Sequence, residues 1–260
     1  MFRLRKYIPH FCVVIICLGL ITFGIWWIFI YENEDIAART EYDELREIFM
    51  QTPELQASPP QVSPAEDIDS DIEEDYEIIE DEAEHVMRLP IDELVRINPD
   101  FVGWISIENH IEYPVVRGTN NDRYMYTTFS GERNRAGAIF MDYRNRSGFN
   151  DHVAILFGHR TRDGTMFSPL VDYLDHTFLN ENPIITITTR GGEELTYRVF
   201  SARQTDAWDA AYETSFINST RAVSIFPNAP AKASRFLLLS TCTPSNDRDE
   251  RIIVFAALEE

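Results

Sequence analysis

The sequence predicts a mainly β fold: eight short strands, closed as a barrel in preference to a sandwich, with a few peripheral helices and a transmembrane helix in front. Three observations carry this. Beyond residue 100, apolar residues recur mostly with period two, in short runs parted by Gly, Asn, Asp and Pro clusters. Helical signals fall between only some of these runs, near 121–127, 166–175 and 215–225, which argues against a doubly wound sheet. Phe11 to Ile30 is a run of twenty uncharged residues, long enough at about 1.5 Å per residue to cross a bilayer core of about 30 Å.

Taken in order, residues 1–10 form a short N-terminus with Arg3, Arg5 and Lys6 before the apolar run, while Glu32, Glu34 and Asp35 follow it. The positive-inside rule places residues 1–10 in the cytoplasm and everything after Tyr31 outside. Trp26, Trp27 and Tyr31 suit the outer interfacial belt. A cleaved signal peptide is the competing reading, but its apolar region spans only about 7–15 residues and ends in small residues. Here the run is longer and ends in WWIFIYENED, so 11–30 reads as an uncleaved signal-anchor.

Residues 31–86 read as an extracellular helix followed by a spacer. Positions 33–50 suggest the helix, with Ile36, Leu45, Ile48 and Phe49 as a sparse apolar face. A Pro-rich stretch with Pro53, Pro59, Pro60 and Pro64 comes next, and then 66–84, where twelve of nineteen residues are acidic. Such a tract buries too little apolar surface to offset its ordering entropy, and matches no calcium loop, so it reads as a solvated tether. Residues 1–84 carry 20 acidic and 5 basic side chains and residues 85–260 carry 23 and 18. Most of the acidity therefore lies outside the folded part, and nothing basic is clustered enough for a nucleic-acid partner.

The folded domain spans 87–260. RLPIDELVRINPD reads as a short helix opened by Pro90 and closed before Pro99, with Leu94 and Ile97 on one side. The strand candidates are FVGWISI, IEYPVV, GAIFMD, HVAILFGH, IITITT, LTYRVFSA, RFLLLST and RIIVFAAL. Glycine-rich phosphate loops, CxxC pairs and zinc-ligand spacings do not occur in the sequence.

Cys12 and Cys17 lie in the apolar run, which leaves Cys242 alone in the exported part. Export favours paired cysteines, and an odd one reads as intermolecular or reactive, against the plainer reading of a buried core thiol. A nucleophilic cysteine needs a partner that draws off its proton and a donor for the oxyanion it creates. Among the histidines, His85 lies in the spacer and His110 in a turn, both solvated. His152 sits beside Asp151 with a structural hydrogen bond, and His176 at a helix end where the dipole favours a cation. His159 ends the strand HVAILFGH and enters a loop flanked by Gly158 and Gly164, a placement typical of site residues. Arg251 opens the strand after Cys242's turn and is the preferred guanidinium partner; Arg248, inside that turn, is the rival.

LSTCTPSNDRDERIIVFAAL resembles the sortase signature, a Ser-Thr-Cys strand followed by an Arg that opens the next strand, and FGHRTRDGTMF resembles that family's His loop. NPDFVGWISI, IEYPVV and AGAIFMDYRN are similar to class B sortases in particular, and the likeness covers roughly 88–260. It implies an eight-stranded sortase-type barrel with an added N-terminal helix and a helix before the seventh strand. It also implies a cysteine transpeptidase with Cys242 as nucleophile, His159 as general acid/base and Arg251 as oxyanion and substrate ligand. Asn121, Met125, Tyr212, Ser240 and Thr243 match substrate-groove positions. The implied partners are surface proteins with a C-terminal sorting motif of the Asn-Pro-x-Thr type, an amine of peptidoglycan precursor or another acceptor, and the cytoplasmic membrane. No metal or organic cofactor is implied. Thr243-Pro244 and the long acidic spacer depart from the family pattern. The rival functions are an extracellular cysteine endopeptidase that hydrolyses the same bond and an inactive surface binding module.

Overall fold

The computed structural model describes residues 8–50 and 90–259, apart from 147, 214–218, 246 and 248. The Pro-rich and acidic spacer, His85 and Arg248 lie outside the described residues.

Eight strands close into one barrel in the order β1-β2-β3-β4-β7-β8-β6-β5. They are β1 Phe101–Ile107, β2 Ile111–Val116, β3 Ile139–Met141, β4 Val153–Phe157, β5 Ile184–Thr189, β6 Glu194–Asp206, β7 Phe236–Cys242 and β8 Glu250–Leu258. All eight strand candidates form, and the pairing of β1 with β5 settles barrel over sandwich. Two neighbouring pairs are parallel, β2 with β3 and β4 with β7, so each needs a long crossover. Those crossovers are where the site loops arise.

The near-continuous apolar runs of β4, β7 and β8 have a physical cause: these strands are buried on both faces. Ala154, Leu156, Leu237, Leu239, Val254 and Ala256 point into the barrel. Val153, Ile155, Phe236, Leu238, Ile253 and Phe255 point outward, under a second cluster that includes Ala222 and Phe226 of helix α4, Ser219–Ile225, and its C-terminal flank. That helix precedes β7, as the resemblance implies. β6 runs longer than its apolar pattern, with a bulge between Val199 and Ser201, and its polar end reaches the rim of the barrel near Cys242.

The first helix differs from expectation. The apolar run and the helix expected after it are one continuous element, α1, Ile8–Met50, because nothing from Ile25 to Met50 is Gly or Pro. Its first part leaves Ile16, Leu20, Phe23, Ile25 and Trp26 exposed, and this is a helix long and apolar enough to cross a membrane. Its last part packs on the barrel through Ala38, Tyr42 and Leu45, all buried. Phe49 stacks on Trp104 at 4.3 Å between ring centres, a pair worth about 0.5–1.5 kcal/mol beyond its buried area. Ile36, expected on the apolar face, is exposed, since the buried stripe recurs at 38, 42, 45 and 49. The stretch 33–50 is thus part of the folded body rather than of the tether. Helix α2 covers 90–97 and buries Ile91 and Leu94 against the barrel.

His176 needs correction. It is the first residue of α3, His176–Glu181, whose N-cap is Asp175, with Oδ1 accepting from Thr177 N at 2.7 Å. A cation is not favoured at that end of a helix. His110 lies in the expected turn but is half-buried, bonded to Asn182 and packed on Phe178. His152 makes its structural hydrogen bond through Nδ1 to the carbonyl of Ser234, at 3.2 Å, rather than to Asp151.

Candidate active site

The sheet register brings three sequence-predicted residues together. Cys242 is the last residue of β7 and pairs directly with Arg251 on antiparallel β8. Directly opposed residues share a face, with Cβ atoms about 4.5–5.5 Å apart. On the other side of β7, parallel β4 pairs Phe157 with Ser240, and Gly158 N extends the ladder to Ser240 O at 3.2 Å. His159 lies two residues past Phe157, as Cys242 lies two past Ser240, so the two are level at the same end of the barrel.

They line one cavity of about 460 Å³, together with Asn121, Met125, Tyr126, Phe140, Asp142, Arg144, Phe157, Tyr212 and Ser240. Cys242 is a free, half-buried thiol. The turn into the His159 loop depends on Gly158: a Cβ there would stand 2.7 Å from the ring of Phe167. The His159 ring lies 5.8 Å from Tyr126 between ring centres. Its Nε2 is 2.6 Å from the carbonyl of Met125. A carbonyl only accepts, so Nε2 carries a proton and Nδ1 is the nitrogen able to take one. Arg251 Nη1 donates to Glu250 O at 3.0 Å, which anchors one arm of the guanidinium.

The cavity wall is fixed by two polar networks. Tyr212 Oη and Ser240 Oγ share a hydrogen bond of 2.8 Å, with the Tyr212 ring stacked on Phe157. Burial pushes the Tyr212 hydroxyl up to about 12, so it stays protonated at neutral pH. Across the cleft Asp142 is buried. Burial opposes its charge, yet the hydrogen bonds and charge of Arg144 and the amide of Asn121 outweigh this and hold its carboxyl below the ordinary range. Arg144 donates from Nε and Nη2 to Asp142 at 2.9 and 2.7 Å, and from Nη2 to Tyr212 O at 3.1 Å. It therefore ties the end of β3 to the segment before β7.

The substrate-groove expectations divide. Asn121, Met125, Tyr212 and Ser240 all line the cavity. Asn121 is occupied, donating to Asp142 and accepting from Tyr143 N, so it shapes the wall. Thr243 stands outside the lining: it is buried, and its hydroxyl bonds Ser245 and Glu250 at the base of the β7–β8 loop. Sequence reasoning missed Tyr126, Phe140, Asp142, Arg144 and Phe157. Asp142 and Arg144 lie two apart at the end of the strand GAIFMD, a signal available but indistinguishable from an ordinary polar turn.

The family model of the sortase domain matches residues 106–259. Sortase B of Staphylococcus aureus is 34% identical, with 67% of this chain and 76% of that protein covered. Sortase B of Listeria monocytogenes is 32% identical, with 61% and 69% covered. Among solved structures, a Staphylococcus aureus sortase B–substrate complex superposes with a TM-score of 0.66 at 28% identity, covering 87% of this chain and 98% of that one. Clostridium perfringens sortase B does so at 0.58 and 29%, covering 65% and 99%. With its closed eight-stranded barrel and Cys242 paired to Arg251 at the rim, the chain belongs to the sortase family, in class B, whose members are cysteine transpeptidases.

Proposed function

We propose that this protein is a membrane-anchored transpeptidase in which Cys242 is the nucleophile, His159 the general acid/base and Arg251 the ligand of the oxyanion. What carries the reading is the shared rim: Cys242 faces Arg251 across β7 and β8, and His159 stands level with them on β4's exit. With its proton passed to Nδ1 of His159, Cys242 attacks as thiolate the carbonyl carbon of a threonine in a C-terminal sorting motif, forming a C–S bond. Negative charge collects on the carbonyl oxygen, where the Arg251 fork offers fixed, permanently charged donors. As the peptide C–N bond breaks, His159 supplies the proton to the departing amine. An acceptor amine then attacks the thioester, His159 takes the amine's proton, and the thiolate leaves.

The mostly apolar wall made by Met125, Phe140 and Phe157 suits an extended peptide entering beside Cys242. One related sortase B was solved as a substrate complex and another with a glycine tripeptide, which supports a sorting peptide and a glycine-type or peptidoglycan-precursor amine for this chain. Residues 1–10 face the cytoplasm, 11–30 cross the membrane, 31–86 lead outward, with 33–50 packed on the barrel, and 87–260 form the catalytic domain on the outer side. The exposed apolar part of α1 supports this arrangement.

The test is product analysis. Full-length protein in detergent micelles is given fluorogenic Asn-Pro-x-Thr peptides with and without triglycine. The reading predicts cleavage after Thr and capture by triglycine, both lost in Cys242→Ala. Release of the free acid alone, at every acceptor concentration, would instead establish a hydrolase.

A further inference from the structure

Two backbone segments hold His159, and α1 is bonded to both. The first carries Met125, whose carbonyl accepts the Nε2 proton. That segment closes on residues 134–138: Asn134 N donates to Tyr126 O at 3.0 Å and Ala138 N to Tyr124 O at 3.0 Å. Gly137 sits directly behind the Met125 carbonyl. Its φ is +58°, and a Cβ there would stand 2.7 Å from both Met125 O and Tyr124 O. From α1, the buried Tyr42 hydroxyl donates to Gly137 O at 2.6 Å. Eight residues earlier, Glu34 O accepts from Asn134 Nδ2 at 2.7 Å.

The second segment is the His159 loop itself. It folds back so that Phe167 N donates to His159 O at 3.0 Å, and its tip is Asp163. From α1, Arg39 donates through Nε to Asp163 Oδ2 at 2.7 Å and through Nη2 to Asp163 O at 3.3 Å. The other carboxylate oxygen accepts from Thr165 Oγ1 at 2.8 Å. Between α1 and the barrel at this point lies a cavity of about 320 Å³, lined by Arg39, Tyr42, Asp163, Thr165 and Met166 among others. Tyr42 packs in the core cluster that also holds Met166 and Phe167 of this loop, while the Arg39 ties reach the loop tip beside the cavity.

We propose that Tyr42 and Arg39 are positioning residues for His159, so that the helix leading out of the membrane helps set the geometry of the reaction. The proposal rests on His159 being the acid/base. Tyr42 fixes the carbonyl that fixes the imidazole, and Arg39 fixes the loop that carries it. Misplacement of a reacting group by about 1 Å costs up to about 10²-fold in rate, so ties that look peripheral act on turnover.

The test uses full-length protein in detergent micelles with a fluorogenic Asn-Pro-x-Thr peptide and triglycine. Tyr42→Phe removes the donor and keeps the ring, and Arg39→Met removes the fork and keeps the stem. The double variant should lose about tenfold in kcat with KM within about twofold of the parent. Iodoacetamide labelling of Cys242 and the circular dichroism spectrum should stay as in the parent. Returning a cation with Arg39→Lys, in the Tyr42→Phe background, should recover part of the loss. A double variant with the parent's kcat, or one changed only in melting temperature, overturns the proposal. His159→Ala separates the two layers: if it turns over like the parent, the acid/base reading itself fails. If it is inactive while the double variant is unimpaired, the positioning role alone is lost.

Discussion

Deleting the hydrogen bond between Tyr212 and Ser240 should cost different amounts according to which partner is removed. Ser240 is 2% exposed, and Tyr212 Oη at 2.8 Å is the partner of its hydroxyl among the described residues. Tyr212→Phe strands that hydroxyl in the wall of the barrel, and an unpaired buried polar group costs about 1–3 kcal/mol. Ser240→Ala leaves the Tyr212 hydroxyl unpaired instead; both residues line the cavity, but Tyr212 is half-buried where Ser240 is buried. Water can replace the lost partner there, so the cost should fall to about 0.5–1.5 kcal/mol, the net worth of one hydrogen bond. The double variant has no stranded group and should cost no more than Tyr212→Phe alone. In a domain of this size each kcal/mol moves the melting temperature by about 2–4 °C. Urea unfolding followed by intrinsic fluorescence measures all three variants. Strict additivity, or a larger loss for Ser240→Ala than for Tyr212→Phe, would refute the reasoning.

Two further outcomes follow from the same structure. The folded carboxyl of Asp142 titrates below its ordinary value. Its stabilising effect is therefore complete above about pH 4, the unfolded value, and is lost as pH falls through the lower folded value. Urea midpoints of the parent should drop along that limb, and Asp142→Asn should be less stable at neutral pH with a flatter limb; parallel profiles would contradict this. Phe255 is fully buried in the outer cluster between the rings of Phe200 and Phe226. Phe255→Ala should cost about 3–5 kcal/mol in urea unfolding, and a loss below about 1 kcal/mol would mean that the cluster is not packed as described.

What the sequence made legible follows from burial. β4, β7 and β8 announce themselves because both faces are apolar, and β1, β2 and β5 begin and end where their apolar runs do. β6 was underestimated because its last residues, Arg203 to Asp206, bond to β8 without burying an apolar face. The change of hydropathy after Tyr31 suggested a break in α1, yet a helix continues through polar residues as readily as apolar ones when neither Gly nor Pro intervenes. Tyr42 escaped notice because the stripe to which it belongs shows only once Ala38 is counted as apolar. Cys242, His159 and Arg251, which line one cavity, were singled out by chemistry and by resemblance. Asp142 and Arg144 were not, since their importance comes from the β3–β4 turn being folded over Tyr212, a contact between residues 68 apart in the chain.

The most direct measurement of the central claim is intact-mass analysis of the protein mixed rapidly with a sorting peptide. A covalent adduct on Cys242, equal in mass to the peptide through its threonine, should form and be discharged by triglycine into an amide product. In His159→Ala and Arg251→Ala the adduct should build up far more slowly. Product formed without any adduct on Cys242, or turnover that survives Cys242→Ala, would contradict the account.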